Sequence, residues 1–154
     1  MTTDFDARLA ELGLTLPATT APIANFVPCV QSGHTLYVSG QVPRQGGQLA
    51  HVGKVGRDIS IDEAKAAARL CALSVLAVVK THLGTLNRVR RVCLVQCFVN
   101  GVPEFTDQPA VANGASDLLV QLFGDAGRHA RFAVGAGSLP GNVSVEVAAT
   151  FEVA

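Results

Sequence analysis

Apolar and polar residues alternate strictly near the end of the chain. Val143, Val145, Val147, Ala149 and Phe151 hold the odd positions, and Ser144, Glu146, Ala148, Thr150 and Glu152 the even ones. A period of two over such a run predicts a β-strand with one buried face. Just upstream, Phe132, Val134 and Ala136 alternate with Arg131, Ala133, Gly135 and Gly137. Pro140-Gly141 separates the two runs, so together they read as an antiparallel hairpin. Pairing about that turn predicts Arg131 and Glu146 on one face, above a floor of Ala and Gly. A guanidinium and a carboxylate would then flank space for something small. The same two charges on an exposed strand also form a solvated cross-strand pair of little energetic weight, and from the hairpin alone both readings stand.

The remaining elements follow the same logic. Phe5 to Leu12 predicts a short amphipathic helix stopped by Gly13, and Thr15 to Ala24, with two prolines, an extended arm. Phe26 to Gln31 and Thr35 to Val42 predict strands joined at Ser32-Gly33. In the second of these, Thr35, Tyr37, Ser39 and Gln41 share a face. Ser60-Ile-Asp-Glu63 is a capping box that opens a long helix, and Gly84 supplies its stop. Arg88 to Val99 is apolar on both faces, with Cys93, Val95 and Cys97 on one and Val92, Leu94 and Phe98 on the other, which predicts a strand inside a sheet. Asp107 to Phe123 predicts a second helix with Pro109 in its first turn and Gly124 at its end. The order β-β-(β)-α-β-α-β-β predicts an α+β fold, a mixed sheet with two helices on one face. Nothing in the chain itself covers the other face, so a symmetric copy is expected there.

Composition sharpens this picture. At 154 residues the chain predicts a single domain, 1–154, in which 1–20 is an N-terminal extension carrying the short helix. Hydrophobic residues make up 49% and charged ones 16%, few charges for a small monomer, which again points to surface buried on assembly. The densest apolar run, Leu70 to Val79, is too short for a membrane span, and no membrane partner is expected. Twelve basic and twelve acidic residues cancel, and neither sign forms a block, so nucleic-acid binding is not expected. The first residues carry no secretory signal pattern, which predicts a cytoplasmic protein. Cys29, Cys71, Cys93 and Cys97 form no CxxC motif, and His34, His51, His82 and His129 lack ligand spacing. No metal or organic cofactor is therefore expected, and the four thiols are expected to be buried and reduced.

Three stretches carry a resemblance. Pro22-Ile-Ala-Asn-Phe26, Ser39-Gly-Gln-Val-Pro43, and Arg131 through Leu139-Pro140 to Val145-Glu-Val147 resemble the RidA/YjgF family, the enamine/imine deaminases once labelled endoribonuclease L-PSP. The likeness spans about residues 20 to 153 in the same element order. It implies a chorismate-mutase-like fold, related to the ferredoxin-like arrangement, and a homotrimer with ligand clefts between subunits. It further implies hydrolysis of reactive 2-enamine or 2-imine acids to 2-oxo acids and ammonia. An alternative is a trimer that binds or senses small carboxylates without turnover.

In the family a motif arginine grips the substrate carboxylate, and Arg131 stands at that position; a planar, permanently charged fork suits that task. Glu146 corresponds to the glutamate associated with the attacking water. Phe26, Ser39, Gly40, Asn113 and Ala133 correspond to residues that line the substrate cleft. Phe26 replaces the family's usual tyrosine and Ala133 its common cysteine, which makes the implied pocket less polar and roomier.

Overall fold

A computed structural model describes residues 2–154. Helix α1 (Phe5–Glu11) begins at Asp4, whose side chain accepts from the Ala7 amide. An extended arm leads to strands β1 (Cys29–Ser32) and β2 (Thr35–Gln41), antiparallel about the Gly33 turn. A small ribbon, β3 (Arg44–Gln45) with β4 (Gln48–Leu49), precedes the long helix α2 (Ile61–Leu83). The Ser60–Glu63 capping box and the left-handed Gly84 bound that helix as the sequence predicts. Strand β5 (Val89–Asn100), helix α3 (Gln108–Phe123), β6 (Ala130–Ala136) and β7 (Val145–Val153) complete the chain.

The main sheet has the order β1-β2-β7-β5-β6. Only the β5–β6 pair is parallel, because α3 carries the chain back across the helix-covered face before β6 enters. Helices α2 and α3 lie on one face, and a single hydrophobic cluster runs from Leu9 through both helices to Val153. The odd residues of β7, from Val145 to Val153, are all buried in it. Among the described residues α2 is the one helix long and apolar enough to cross a membrane, yet it is a core helix here, with Ala64, Ala68, Cys71, Val75 and Val79 buried. Gly114 marks the closest approach of the helices: a Cβ there would collide with the Lys65 carbonyl of α2.

Three expectations need correction. Strands β6 and β7 are not a hairpin, because β5 lies between them; residues 137–144 step over it, with Pro140–Asn142 in a short 3-10 turn. Two strand spacings are about 10 Å, which that connection covers easily. The even alternation of β5 and β2 is interrupted. Register shifts at Val92/Leu94 and Val38/Gln41 turn Cys93 to solvent and carry Gln41 to the helix side, opposite Val147. Of the four thiols only Cys71 and Cys97 are buried, Cys29 on the edge strand β1 is half-buried and Cys93 is exposed; all four are unpaired.

The face away from the helices is apolar and open. Val30, Tyr37, Phe132 and Val134 are each 39–53% exposed along it, and the Phe98 and Phe132 rings meet edge to face at 5.8 Å. Val30 and Tyr37 lie on β1 and β2 at one edge and Phe132 and Val134 on β6 at the other, exposed apolar area that association could cover.

Candidate functional site

Arg131 leaves β6 on the helix side, opposite Val95 of β5. Its guanidinium reaches α3. One terminal nitrogen, Nη1, donates to Asn113 Oδ1 at 2.9 Å and to Ser116 Oγ at 3.1 Å, and Nη2 donates to the Pro109 carbonyl at 3.5 Å. Every acceptor is neutral. Arg131 has no carboxylate within ion-pair distance among the described residues. Among the described residues the Nε–H finds no acceptor and Nη2 has one N–H to spare. A half-buried cation held by neutral oxygens favours an anion on the Nε–Nη2 edge, where two parallel donors match a carboxylate.

Asn113 and Ser116 are three apart on α3 and so share a face. Gly114, pressed against α2, turns that face toward β6. Ser116 Oγ is also 2.9 Å from His129 Nε2, and His129 Nδ1 is 2.6 Å from the Gly127 carbonyl. Burial lowers the His129 pKa below its ordinary 6.5; the Gly127 carbonyl opposes this, and the Arg131 charge adds to it. Ala133 follows Arg131 on the same face, packed against the core. Next to it, across the strand pair, lies the Cys97 thiol, which burial pushes up to about 12 although Arg131 pulls it down. At neutral pH that sulfur stays protonated and does not act as a thiolate.

Glu146 sits on the other face. Its register partner on β5 is Phe98, whereas Arg131 pairs with Val95. The expectation that Arg131 and Glu146 share a face therefore fails within the chain, since inserting β5 between the strands removes the hairpin register behind it. The Glu146 carboxylate accepts no hydrogen bond from any described residue, and burial alone raises its pKa above the ordinary 4.5. It fills the space left by Gly40: a Cβ at that position would stand 2.5 Å from Glu146 Oε1. A cavity of about 300 Å³ opens beside it, walled by Phe98, Leu139 and Ala148.

Gly40 also borders a second cavity, of about 390 Å³, which includes Phe26, Ser39 and Arg44. Ser39 Oγ donates to the Val27 carbonyl at 2.7 Å, tying the arm to β2. The arm remains prominent, with Ile23 fully exposed and Phe26 55% exposed. The predicted residues thus fall into two groups, Arg131, Asn113 and Ala133 at the β6–α3 edge, and Phe26, Ser39, Gly40 and Glu146 around the β2 bulge. Sequence reading missed Ser116 and His129. Helical spacing from Asn113 and strand spacing from Arg131 were the signals for them.

A mixed sheet with two helices on one face, and an arginine without a carboxylate partner among the described residues at its edge, defines an α+β protein of chorismate-mutase-like build. Residues 6–152 match the model of the family described as "YjgF/chorismate_mutase-like, putative endoribonuclease", and the chain belongs to that family. Protein TCP17 of Trypanosoma cruzi is 47% identical over 148 residues, covering 96% of this chain and 92% of that protein. A crystal structure of an Agrobacterium tumefaciens protein of unknown function is 50% identical, with a TM-score of 0.91, covering 97% of this chain and 92% of the other. The crystal structure of Escherichia coli TdcF with bound serine is 20% identical, covers 88% of this chain and 94% of its own, and with a TM-score of 0.64 shares the fold.

Proposed function

We propose that this protein binds small 2-imino and 2-oxo acids in clefts between the subunits of a homotrimer and hydrolyses the imines. The observation that carries the reading is Arg131, a guanidinium locked by neutral acceptors with one donor edge left over. Small carboxylates are the natural occupants of such an edge. The separation of the two groups supports a shared site. Arg131 and Glu146 lie on opposite faces of one sheet, so a cleft that uses both takes them from two copies. The open apolar face offers the surface over which copies would associate. TdcF, a fold relative, was crystallised with a small amino acid.

The chemistry needs water and a base. Glu146, weakly solvated, takes a proton from water as its oxygen bonds to the imine carbon, giving a carbinolamine. The same carboxyl returns that proton to nitrogen; it then takes the carbinolamine hydroxyl proton and passes it to the amine as C=O forms and the C–N bond breaks, and ammonia leaves a 2-oxo acid. Arg131 orients the substrate throughout and neutralises its charge.

Phe26 and Ala133 at positions where the family usually has a hydroxyl and a thiol favour a second reading, a trimer that binds 2-oxo acids without turnover. One experiment separates the two: ammonia release from a 2-imino acid generated in situ, for wild type and Arg131→Ala. Release above background that Arg131→Ala abolishes supports the enzyme. Release at background from a wild type that still binds 2-oxobutanoate leaves the binder. A stable monomer in sedimentation at micromolar concentration would remove the shared cleft.

A further inference from the structure

We propose that Ser116 and His129 are positioning residues for the Arg131 guanidinium, a directed chain of hydrogen bonds that fixes which edge of the fork meets the ligand. This rests on Arg131 as the carboxylate anchor and extends it to two side chains that do not touch the ligand.

The direction of each bond follows from its ends. The Gly127 carbonyl only accepts, so His129 Nδ1 carries the proton at 2.6 Å. Neutral His129 then presents a bare Nε2, and the Ser116 hydroxyl donates to it across 2.9 Å. With its proton committed, Ser116 Oγ turns its lone pairs to Arg131 Nη1 at 3.1 Å. Asn113 Oδ1 takes the other Nη1 proton at 2.9 Å. The guanidinium plane is thereby set by two acceptors, and Nε with Nη2 are left as the ligand edge. Gly127 is itself held close: a Cβ there would collide with the Leu119 carbonyl of α3, so the acceptor that sets the tautomer is anchored to the helix bearing Ser116.

Protonating His129 reverses the chain. Nε2 would donate to Ser116, whose hydroxyl must then accept from two cationic donors. Charges around the ring are of both signs. Asp117 of α3 and Arg128 border the same pocket, Arg128 is ion-paired with Asp125 at 3.5 Å, and Arg91 of β5 donates to the Arg128 carbonyl. Arg131 alone is linked to the imidazole through a shared hydroxyl. An anion on Arg131 offsets the charge that disfavours the imidazolium, so occupancy should raise the His129 pKa, and by reciprocity protonation should tighten anion binding.

The test uses the full-length assembled protein and 2-oxobutanoate, with affinity measured by calorimetry and His129 titrated by NMR. Ser116→Ala should weaken binding by roughly tenfold, the worth of one hydrogen bond to a charged group. Ser116→Thr, which keeps the hydroxyl, should restore it. In wild type the ligand should raise the His129 pKa, and in Ser116→Ala it should raise it less. A Glu146→Gln background removes the carboxylate that the proposed intersubunit cleft would bring to the ligand, and the His129→Ala comparison separates His129 from Asp117, which borders the same pocket. There, affinity should still increase as pH falls through the His129 range, and His129→Ala should abolish that increase. If Arg131→Lys weakens binding while Ser116→Ala and Ser116→Thr both bind as wild type does, the anchor stands and the positioning chain is overturned. If Arg131→Lys changes nothing, or wild type binds no 2-oxobutanoate at millimolar concentration, the anchor and the chain fall together.

Discussion

Arg131 and Glu146 are held in opposite ways. Three neutral oxygens of α3 fix the guanidinium, one of them backed by a further bond to His129. The Glu146 carboxylate accepts no hydrogen bond from any described residue and is shaped by the missing Cβ of Gly40 and by burial. One group is built to stay still and keep its charge; the other is left weakly solvated, with a raised affinity for a proton. A binding anchor needs the first property and a general base the second. The contrast also explains why the two sit on different faces. The α3 face supplies acceptors, and the open sheet face supplies an apolar surrounding.

The largest expected effect tests the base. Glu146→Gln keeps the shape beside Gly40 but cannot take a proton, so imine hydrolysis should fall by roughly 10²–10⁴-fold while assembly and 2-oxobutanoate binding persist. Equal rates in the two proteins would leave Glu146 a spectator. Next in size is the anchor. Arg131→Lys keeps the charge and loses the fork, and should weaken 2-oxobutanoate by about 1–3 kcal/mol in calorimetry. Gly114→Ala tests the scaffold behind it. The added methyl drives α3 away from the Lys65 carbonyl, and overpacking of this kind costs about 1–3 kcal/mol in denaturant unfolding.

The pH dependence carries a sign for each group. Glu146 must be ionised to act as base, so hydrolysis should fall as pH drops through a value above the ordinary 4.5, and Glu146→Gln should lose that limb. For stability the direction reverses. A raised carboxyl pKa means the folded state holds the proton more tightly, so this contribution is present below the unfolded value and fades as pH rises through the folded one. His129 runs the other way. Its lowered pKa makes the neutral form the folded one, so the fold gives up stability as pH falls from about 6.5 toward the depressed value.

Much of this was legible in the sequence. The Ser60 capping box, the Gly84 stop, Pro109 in the first turn of α3 and the alternation of β7 each act locally, and each element formed where its own residues place it. What failed was long-range. Pro140-Gly141 looked like a hairpin turn, yet β5-α3-β6 is also a strand–helix–strand unit, which favours parallel neighbours. The strand with the most continuous apolar face, β7, took the middle of the sheet, and β6 was left at the edge. Bulges moved Cys93 and Gln41 to faces that strict alternation denies them. The site suffered the same way. Its candidate residues could be listed by position, but their distribution over two faces depended on the strand order.

The smallest expected effect concerns Phe26, and it bears on whether the Glu146 side is complete. Phe26 lines the cavity that includes Ser39 and Gly40, and Gly40 in turn borders Glu146. The Ser39 hydroxyl, next to Gly40 in that lining, spends its proton on the Val27 carbonyl. Phe26→Tyr would add a donor on an exposed arm, where one neutral hydrogen bond contributes about 0.5–1.5 kcal/mol. If the base side lacks only a donor to steady the water or the leaving nitrogen, turnover should rise severalfold with 2-oxobutanoate affinity unchanged. The loss of affinity in Arg131→Lys should be the same in the Phe26→Tyr background, because the added hydroxyl belongs to the other group of residues. A Phe26→Tyr protein that binds 2-oxobutanoate more tightly but turns over no faster would place that hydroxyl at the anchor, and the division into a fixed cation and a weakly held base would lose its boundary.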